Sequence, residues 1–220
     1  MDQYNIQLLS KKIKIAPINV IRENIEIEIL SVLSQNKIST KFIFYGGTAL
    51  RLAFGSPRFS EDLDFLMLKK IYIKELKDAI KIFLKEHNEI SLKDIKDKRN
   101  TLFALLNAKY PFSKHPLNIK IEIAKRKNGI SYEFIPLSSV CSHLKPIVPT
   151  ITIESLKKMK QEAIKKRNEP RDWFDLYYIT KYLKETWNPP TKFPFEKKEF
   201  KRELQRFLPR DKWLLIDQII

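Results

Sequence analysis

Apolar residues recur along this chain with two different periods, and the changes of period mark its elements. From Asn19 to Ser34, Ile21, Ile25, Ile29, Val32 and Leu33 fall at helical spacing. The middle of that stretch, Ile25 to Ile29, also alternates with Glu26 and Glu28, so a strand stays open there, but the length of the periodic run favours a helix. Phe42 to Tyr45 reads as a short apolar strand running into Gly46-Gly47, and Thr48 to Phe54 as a helix opening directly after the glycines. Leu63 to Leu68 predicts a second strand, entered through the polar run Arg58-Phe59-Ser60-Glu61-Asp62. An amphipathic helix follows over Ile71 to Leu84. Thr101 to Asn107 and Asn118 to Ala124 read as strands, the latter with Ile119, Ile121 and Ile123 alternating against Lys120 and Glu122. Pro136 to Pro149 is loop-rich, and from Ile153 helical patterns continue to the C-terminus.

This order predicts an α+β fold: a sheet-bearing domain over 1–150, then a helical C-terminal domain over 151–220. A hydrophobic content of 43% supplies material for a packed core. No run approaches the roughly 18–20 uncharged apolar residues of a membrane span. Met1 to Ser10 has no basic stretch followed by an apolar core, so no secretory signal is expected. A single cysteine, Cys141, forms no internal disulfide, and a reducing, cytoplasmic setting is the expectation. Charge changes the picture more. Forty-two basic residues against 26 acidic ones give +16, which favours a polyanionic partner, although lysine used for solubility would produce the same excess.

The candidate chemistry lies at Asp62 and Asp64. A strand alternates its faces, so both carboxylates project together while Leu63 and Phe65 face a core. Two carboxylates side by side repel unless a cation joins them, and Mg²⁺ takes one or two carboxylates, with water and substrate phosphates completing its shell. By itself a D-x-D pair also occurs on solvated strands. Upstream, Gly46-Gly47-Thr48 stands at a strand-to-helix junction, where missing side chains let backbone N–H groups approach a triphosphate; a tight turn needing positive φ is the alternative. Glu122 is the best candidate for a third carboxylate. Further on, Lys160, Ala163, Ile164 and Arg167 share one helix face, and Arg171 can pair with Asp175 at i+4; a salt-bridged solvent face would look the same. Trp173, Phe174, Tyr177 and Tyr178 fit a helical core better than a base-stacking surface. The basic run Lys192 to Arg210, interleaved with Phe193, Phe195, Phe200 and Phe207, fits RNA phosphates or a solvated helix with buried rings equally well.

Taken together, Gly46-Gly47-Thr48-Ala49-Leu50 and Arg58-Phe59-Ser60-Glu61-Asp62-Leu63-Asp64-Phe65 resemble the signature of the AbiEii- and MenT-type nucleotidyltransferase toxins, within the polymerase-β-like nucleotidyltransferase superfamily. Lys160 to Arg167 is similar to the family's K-x-x-A-x-x-x-R, and Arg171-Asp172-Trp173-Phe174-Asp175-Leu176 to its R-D-x-x-D-L. The resemblance spans about residues 42 to 180. It implies a mixed sheet with flanking helices and a nucleotide in the cleft before the helical domain. Asp62, Asp64 and Glu122 would hold Mg²⁺, or Mn²⁺ in its place. Gly46, Gly47, Thr48, Arg58, Ser60 and Lys160 would hold the NTP, with Arg167, Arg171, Asp172 and Asp175 organising the cationic helix face. It further implies transfer of an NMP to a hydroxyl, with RNA such as tRNA as acceptor and a separately encoded antitoxin as partner. Transfer to a protein or small molecule, or nucleotide or RNA binding without catalysis, are the rival functions.

Overall fold

The computed structural model describes residues 1–110, 115–125, 129–190 and 193–220. Lys192 of the basic C-terminal run lies outside them. Two helices open the chain, α1 (Gln3–Ile13) and α2 (Pro17–Gln35). Asp2 caps the first, its carboxylate accepting from the Asn5 backbone N–H at 2.8 Å, and Pro17 starts the second where no N–H is needed. Strand β1 (Phe42–Tyr45) leads into α3 (Gly46–Phe54), then β2 (Asp62–Met67) and α4 (Ile73–Leu84). Strands β3 (Ile90–Asp97), β4 (Thr101–Ala108), β5 (Leu117–Ala124), β6 (Tyr132–Pro136) and β7 (Ile147–Ile151) follow. Helices α5 (Ile153–Lys166), α6 (Pro170–Tyr182), α7 (Lys197–Gln205) and α8 (Leu214–Asp217) end the chain.

Among the described residues the strands form one seven-stranded sheet in the order β3-β4-β5-β2-β1-β7-β6. Pairs β2–β5 and β1–β7 are parallel and the others antiparallel, so the sheet is mixed, as expected. One face carries Phe42, Phe44, Leu63, Phe65, Ile119, Ile121 and Ile123 into the main core, shared with α2 and α4. On the other face, Ile43, Leu66 and Ile151 pack with Leu156 of α5 and Ile179 of α6 in a second core. Further along α6, Phe174 and Tyr177 join Phe200, Leu204, Leu208 and Ile216 in a third. That settles most of the C-terminal aromatic residues as packing. The C-terminal helices are also tied to the sheet-bearing part: Phe59 N–H donates to the Phe207 carbonyl at 2.8 Å, and Asn19 of α2 donates to the Arg206 carbonyl at 3.0 Å.

Where the structure departs from the sequence expectation, the reasons are local. The stretch Ile25 to Ile29 is helical; its alternating pattern arises because Glu26 is itself buried and Glu28 half-buried, each taking a place on the helix an apolar residue would fill. Helix α3 takes in the two glycines instead of following them. β3 and β6 border the sheet, where the polar sequences ISLKDIKD and YEFIP leave much of each strand exposed and weaken the apolar signal. β7 arises inside the expected loop. Pro149 disguises it, tolerated because β7 meets β1 at the single register Phe44↔Thr150 while pairing with β6 along its length.

Candidate active site

Strand β2 lies beside β5 in parallel register, Asp62 opposite Lys120 and Asp64 opposite Glu122. Paired residues share a face, so these four polar side chains gather on the half-exposed side of the sheet, while Leu63 and Ile121 between them are buried. On β2 the same face is closed further along by Leu66 in the second core. The aspartates occupy the stretch left open.

Glycines make room for them. A Cβ on Gly46 would stand 2.6 Å from the Asp64 carboxylate, and the residue also has φ of +86°, so no larger residue fits on either count. A Cβ on Gly47 would lie 2.6 Å from the Arg58 guanidinium and 2.7 Å from the Ser60 hydroxyl. Asp64 and Ser60 therefore press against the first turn of α3, where backbone N–H groups and the helix dipole favour negative charge. Thr48 serves the scaffold: buried, its hydroxyl donates to the Asp62 carbonyl at 2.5 Å and fixes α3 to β2.

Burial first, then the like charge of Asp62, push the Asp64 carboxyl up to about 6, against the opposing pull of Lys120. The sequence pattern did not single out Lys120, although it lies two residues before Glu122 on the same face. Its ammonium is 2.9 Å from Asp62 and 3.5 Å from Glu122, standing between the two carboxylates. Burial opposes its charge, but the bond to Asp62 together with the charges of Asp62, Glu122 and Asp64 outweighs that and holds it above the usual lysine range. Glu122 thus meets Asp62 only across Lys120. Among the described residues no three His, Cys, Asp or Glu side chains converge into a group able to hold an ion. Beneath the site Glu26 is buried, with one carboxylate oxygen lacking a hydrogen bond; burial first, then Glu23, raise it well above the carboxylate range, and Asp62 adds to the shift. Nothing in the sequence pattern marks Glu26 as more than a helical polar residue.

Near this acidic floor, cations from α5 and from the approach to β2 gather on two aspartates of α6. Asp172 and Asp175 are fully buried. Arg58 grips Asp175 with two parallel bonds of 2.7 and 2.8 Å, Lys160 bridges Asp175 at 2.6 Å and Asp172 at 2.9 Å, and Arg167 holds Asp172 at 2.7 and 2.8 Å. Burial raises both aspartates, but these partners more than offset it and keep them below the usual carboxylate range. Three cations thus meet two carboxylates. The surplus positive charge is felt at the acidic floor, since Lys160 lowers Asp64 and Asp64 raises Arg167.

The expected Arg171–Asp175 pair does not form. Asp175 turns inward to Arg58, and Arg171 reaches outward to Glu61, Glu169 and Glu203 at 3.3 to 3.7 Å. Arg58, expected among the nucleotide contacts, has its guanidinium bound to Asp175 and the Phe59 carbonyl. Ser60 keeps a free hydroxyl among the described residues, beside Gly47.

The sequence matches the family described as nucleotidyl transferase AbiEii toxin, Type IV TA system, over residues 28–213. The crystal structure of JHP933 from Helicobacter pylori is similar at 27% identity with TM-score 0.57, covering 79% of this chain and 71% of that one. MenT4, a nucleotidyltransferase toxin from Mycobacterium tuberculosis, shares the fold at 15% identity with TM-score 0.54, over 85% of this chain and 63% of that one. No curated protein matches the sequence.

Two stability measurements test this electrostatic layout. Because Asp64 is raised to about 6 from an ordinary 3.8, its contribution to folding is fully present below about pH 4 and is lost as pH rises through 6. Asp64→Asn is expected to melt with the parent at pH 4 and above it at pH 7.5, by at most about 3 kcal/mol. A difference that stays constant with pH contradicts the repulsion. In urea titrations, Lys160→Ala should lose about 3–5 kcal/mol, because two buried carboxylates lose their shared cation. The exposed Lys165→Ala should change stability by less than about 0.5 kcal/mol. Equal effects would mean that the buried bridges carry no stability.

Proposed function

This chain belongs to the nucleotidyl transferase AbiEii toxin family, and on that footing we propose that it moves a nucleoside monophosphate from an NTP to an RNA hydroxyl with a divalent cation bound at Asp62 and Asp64. The observation that carries the reading is that two strand carboxylates, Asp62 and Asp64, lie within electrostatic reach of cations on the α5 side, Lys160 and Arg167. An NTP with its ion presents the complementary pattern, a cation flanked by phosphate charge.

Mg²⁺ asks a protein for only one or two carboxylates, and it usually keeps water and substrate phosphates as its other ligands. Asp62 and Asp64 offer two from one strand face, and the upward push on Asp64 is the strain that a cation relieves. The donor set fits. Once bound, the ion supplies charge neutralisation at the reacting phosphate; Mn²⁺ would serve in its place. The first turn of α3, opened by Gly46 and Gly47, together with the Ser60 hydroxyl, receives phosphate oxygens. Lys160 keeps one N–H beyond its two aspartate bonds, and Arg167 is half-exposed, so both can face the triphosphate while Arg58, Asp172 and Asp175 hold them in place. Arg171 acts from the rim. In the reaction the acceptor hydroxyl oxygen bonds to the α-phosphorus, the bond from that phosphorus to the β-phosphate oxygen breaks, and pyrophosphate leaves. Glu122, once clear of Lys120, accepts the hydroxyl proton or completes the ion's ligands.

The +16 charge supports RNA over a small neutral acceptor. Family membership brings with it the expectation of an antitoxin partner. No helix among the described residues is long and apolar enough to cross a membrane. The test is to incubate the purified protein with each α-labelled NTP, Mg²⁺ and total RNA. Label is expected in RNA with the parent, and at background with Asp62→Asn. Label that appears on protein, or that persists in the variant, overturns the proposal.

A further inference from the structure

Away from the catalytic cleft, the corner between α1 and α2 meets the C-terminal helices around a second cleft of about 680 Å³. Lys11, Lys14, Arg206, Arg210 and Trp213 line it, and no Asp or Glu does. Among the described residues none of these four cations makes an ion pair, whereas Arg58, Lys120, Lys160, Arg167 and Arg171 around the catalytic cleft are all paired with carboxylates. Helix ends do not account for them. Lys14 and Arg206 cap the C-termini of α1 and α7, and two such ends carry about one negative charge between them, against four positive side chains.

The cleft is held in shape by backbone. Lys14 is left-handed, with φ of 55°, where glycine or asparagine would be less strained, and its carbonyl accepts from Arg210 N–H at 3.0 Å. That conformation seats a lysine opposite Arg210 at the cost of local strain. Trp213 is half-buried and anchored by its indole N–H to the Leu208 carbonyl at 3.1 Å, leaving a fixed ring in the wall. Unpaired cations beside a fixed indole are the combination that holds a nucleic-acid strand, phosphates on the cations and a base on the ring. A backbone bond also links the wall of this cleft to the segment that leads to Asp62. Phe207, next to Arg206, binds Phe59, and Phe59 stands three residues before Asp62, at most about 11 Å of extended chain.

We propose that this cleft anchors the single-stranded part of the RNA acceptor, placing its reactive end at Asp62 and Asp64; the proposal rests on RNA being the acceptor. The test measures binding of a fluorescent single-stranded RNA to the full chain across a salt series, for the parent and for Lys11→Gln/Arg210→Gln, alongside NTP binding and melting temperature. Both replaced side chains are exposed, so the fold should persist. A second variant, Trp213→Phe, keeps an aromatic ring and drops the indole N–H. The expected result is RNA affinity lower by roughly tenfold or more in the double variant, with the salt slope shallower by about 0.7 for each phosphate no longer neutralised and NTP binding unchanged. Trp213→Phe should keep most of the RNA affinity. A parent that binds RNA with the same affinity and salt slope as the double variant overturns the cleft assignment while leaving RNA as acceptor. A parent with no salt-dependent RNA binding overturns both. Should the double variant instead lose binding to an acidic protein partner while keeping RNA, the cleft is a protein-docking site and the proposal fails.

Discussion

The whole candidate site depends on two aspartates that have no access to water. Asp172 and Asp175 are fully buried on α6, and an isolated carboxylate there would cost several kcal/mol. The chain meets this by drawing cations from separate places: Arg58 from the approach to β2, Lys160 from the middle of α5 and Arg167 from its C-cap. Each bond that satisfies an aspartate also locates a segment. Arg58 fixes the polar run leading to β2 and so the position from which Asp62 and Asp64 emerge, while Lys160 fixes α5 against α6.

A second imbalance of opposite sign faces the first. On the sheet, Asp62, Asp64 and Glu122 are served by the single ammonium of Lys120, and the shortage is expressed in the raised carboxyl of Asp64. Across the cleft the cations are in surplus. Neither side can be relaxed by moving, because the carboxylates stand on paired strands and the cations are pinned by the buried aspartates. The protein thus holds groups of opposite sign within electrostatic reach of each other, fixed by the fold itself.

Much of this was legible in the sequence, for reasons that differ by residue. The pair Asp62 and Asp64 could be read because period-two alternation forces a shared face, and the glycines because so few occur in the chain. The family resemblance, carried by four short motifs, is borne out by the match over residues 28–213. The helical spacing of Lys160 and Arg167 indicated one face but not its direction. Local spacing made Arg171 the natural partner of Asp175, and the structure supplied Arg58 instead, 117 positions away. Such a pairing has no periodic signature. Lys120 was hidden for a related reason: an alternating lysine on a strand reads as solvated until the neighbouring strand brings an aspartate to it. Strands β3 and β6 were hard to see because border positions require little apolar character, and β7 because a proline obscured it.

The separation of Arg58 from Asp175 also bears on the order in which the candidate site can form during synthesis. At the usual pace of synthesis a ribosome needs roughly 6–23 s to add the 117 residues between them. During that interval strands β2 to β7 are being made, while Asp175, the buried counter-charge that locates the approach to β2, is still to come. Until α6 has been made, the segment that carries Asp62 and Asp64 therefore lacks the long-range bond that locates it, so the arrangement of these carboxylates is a late product of the chain.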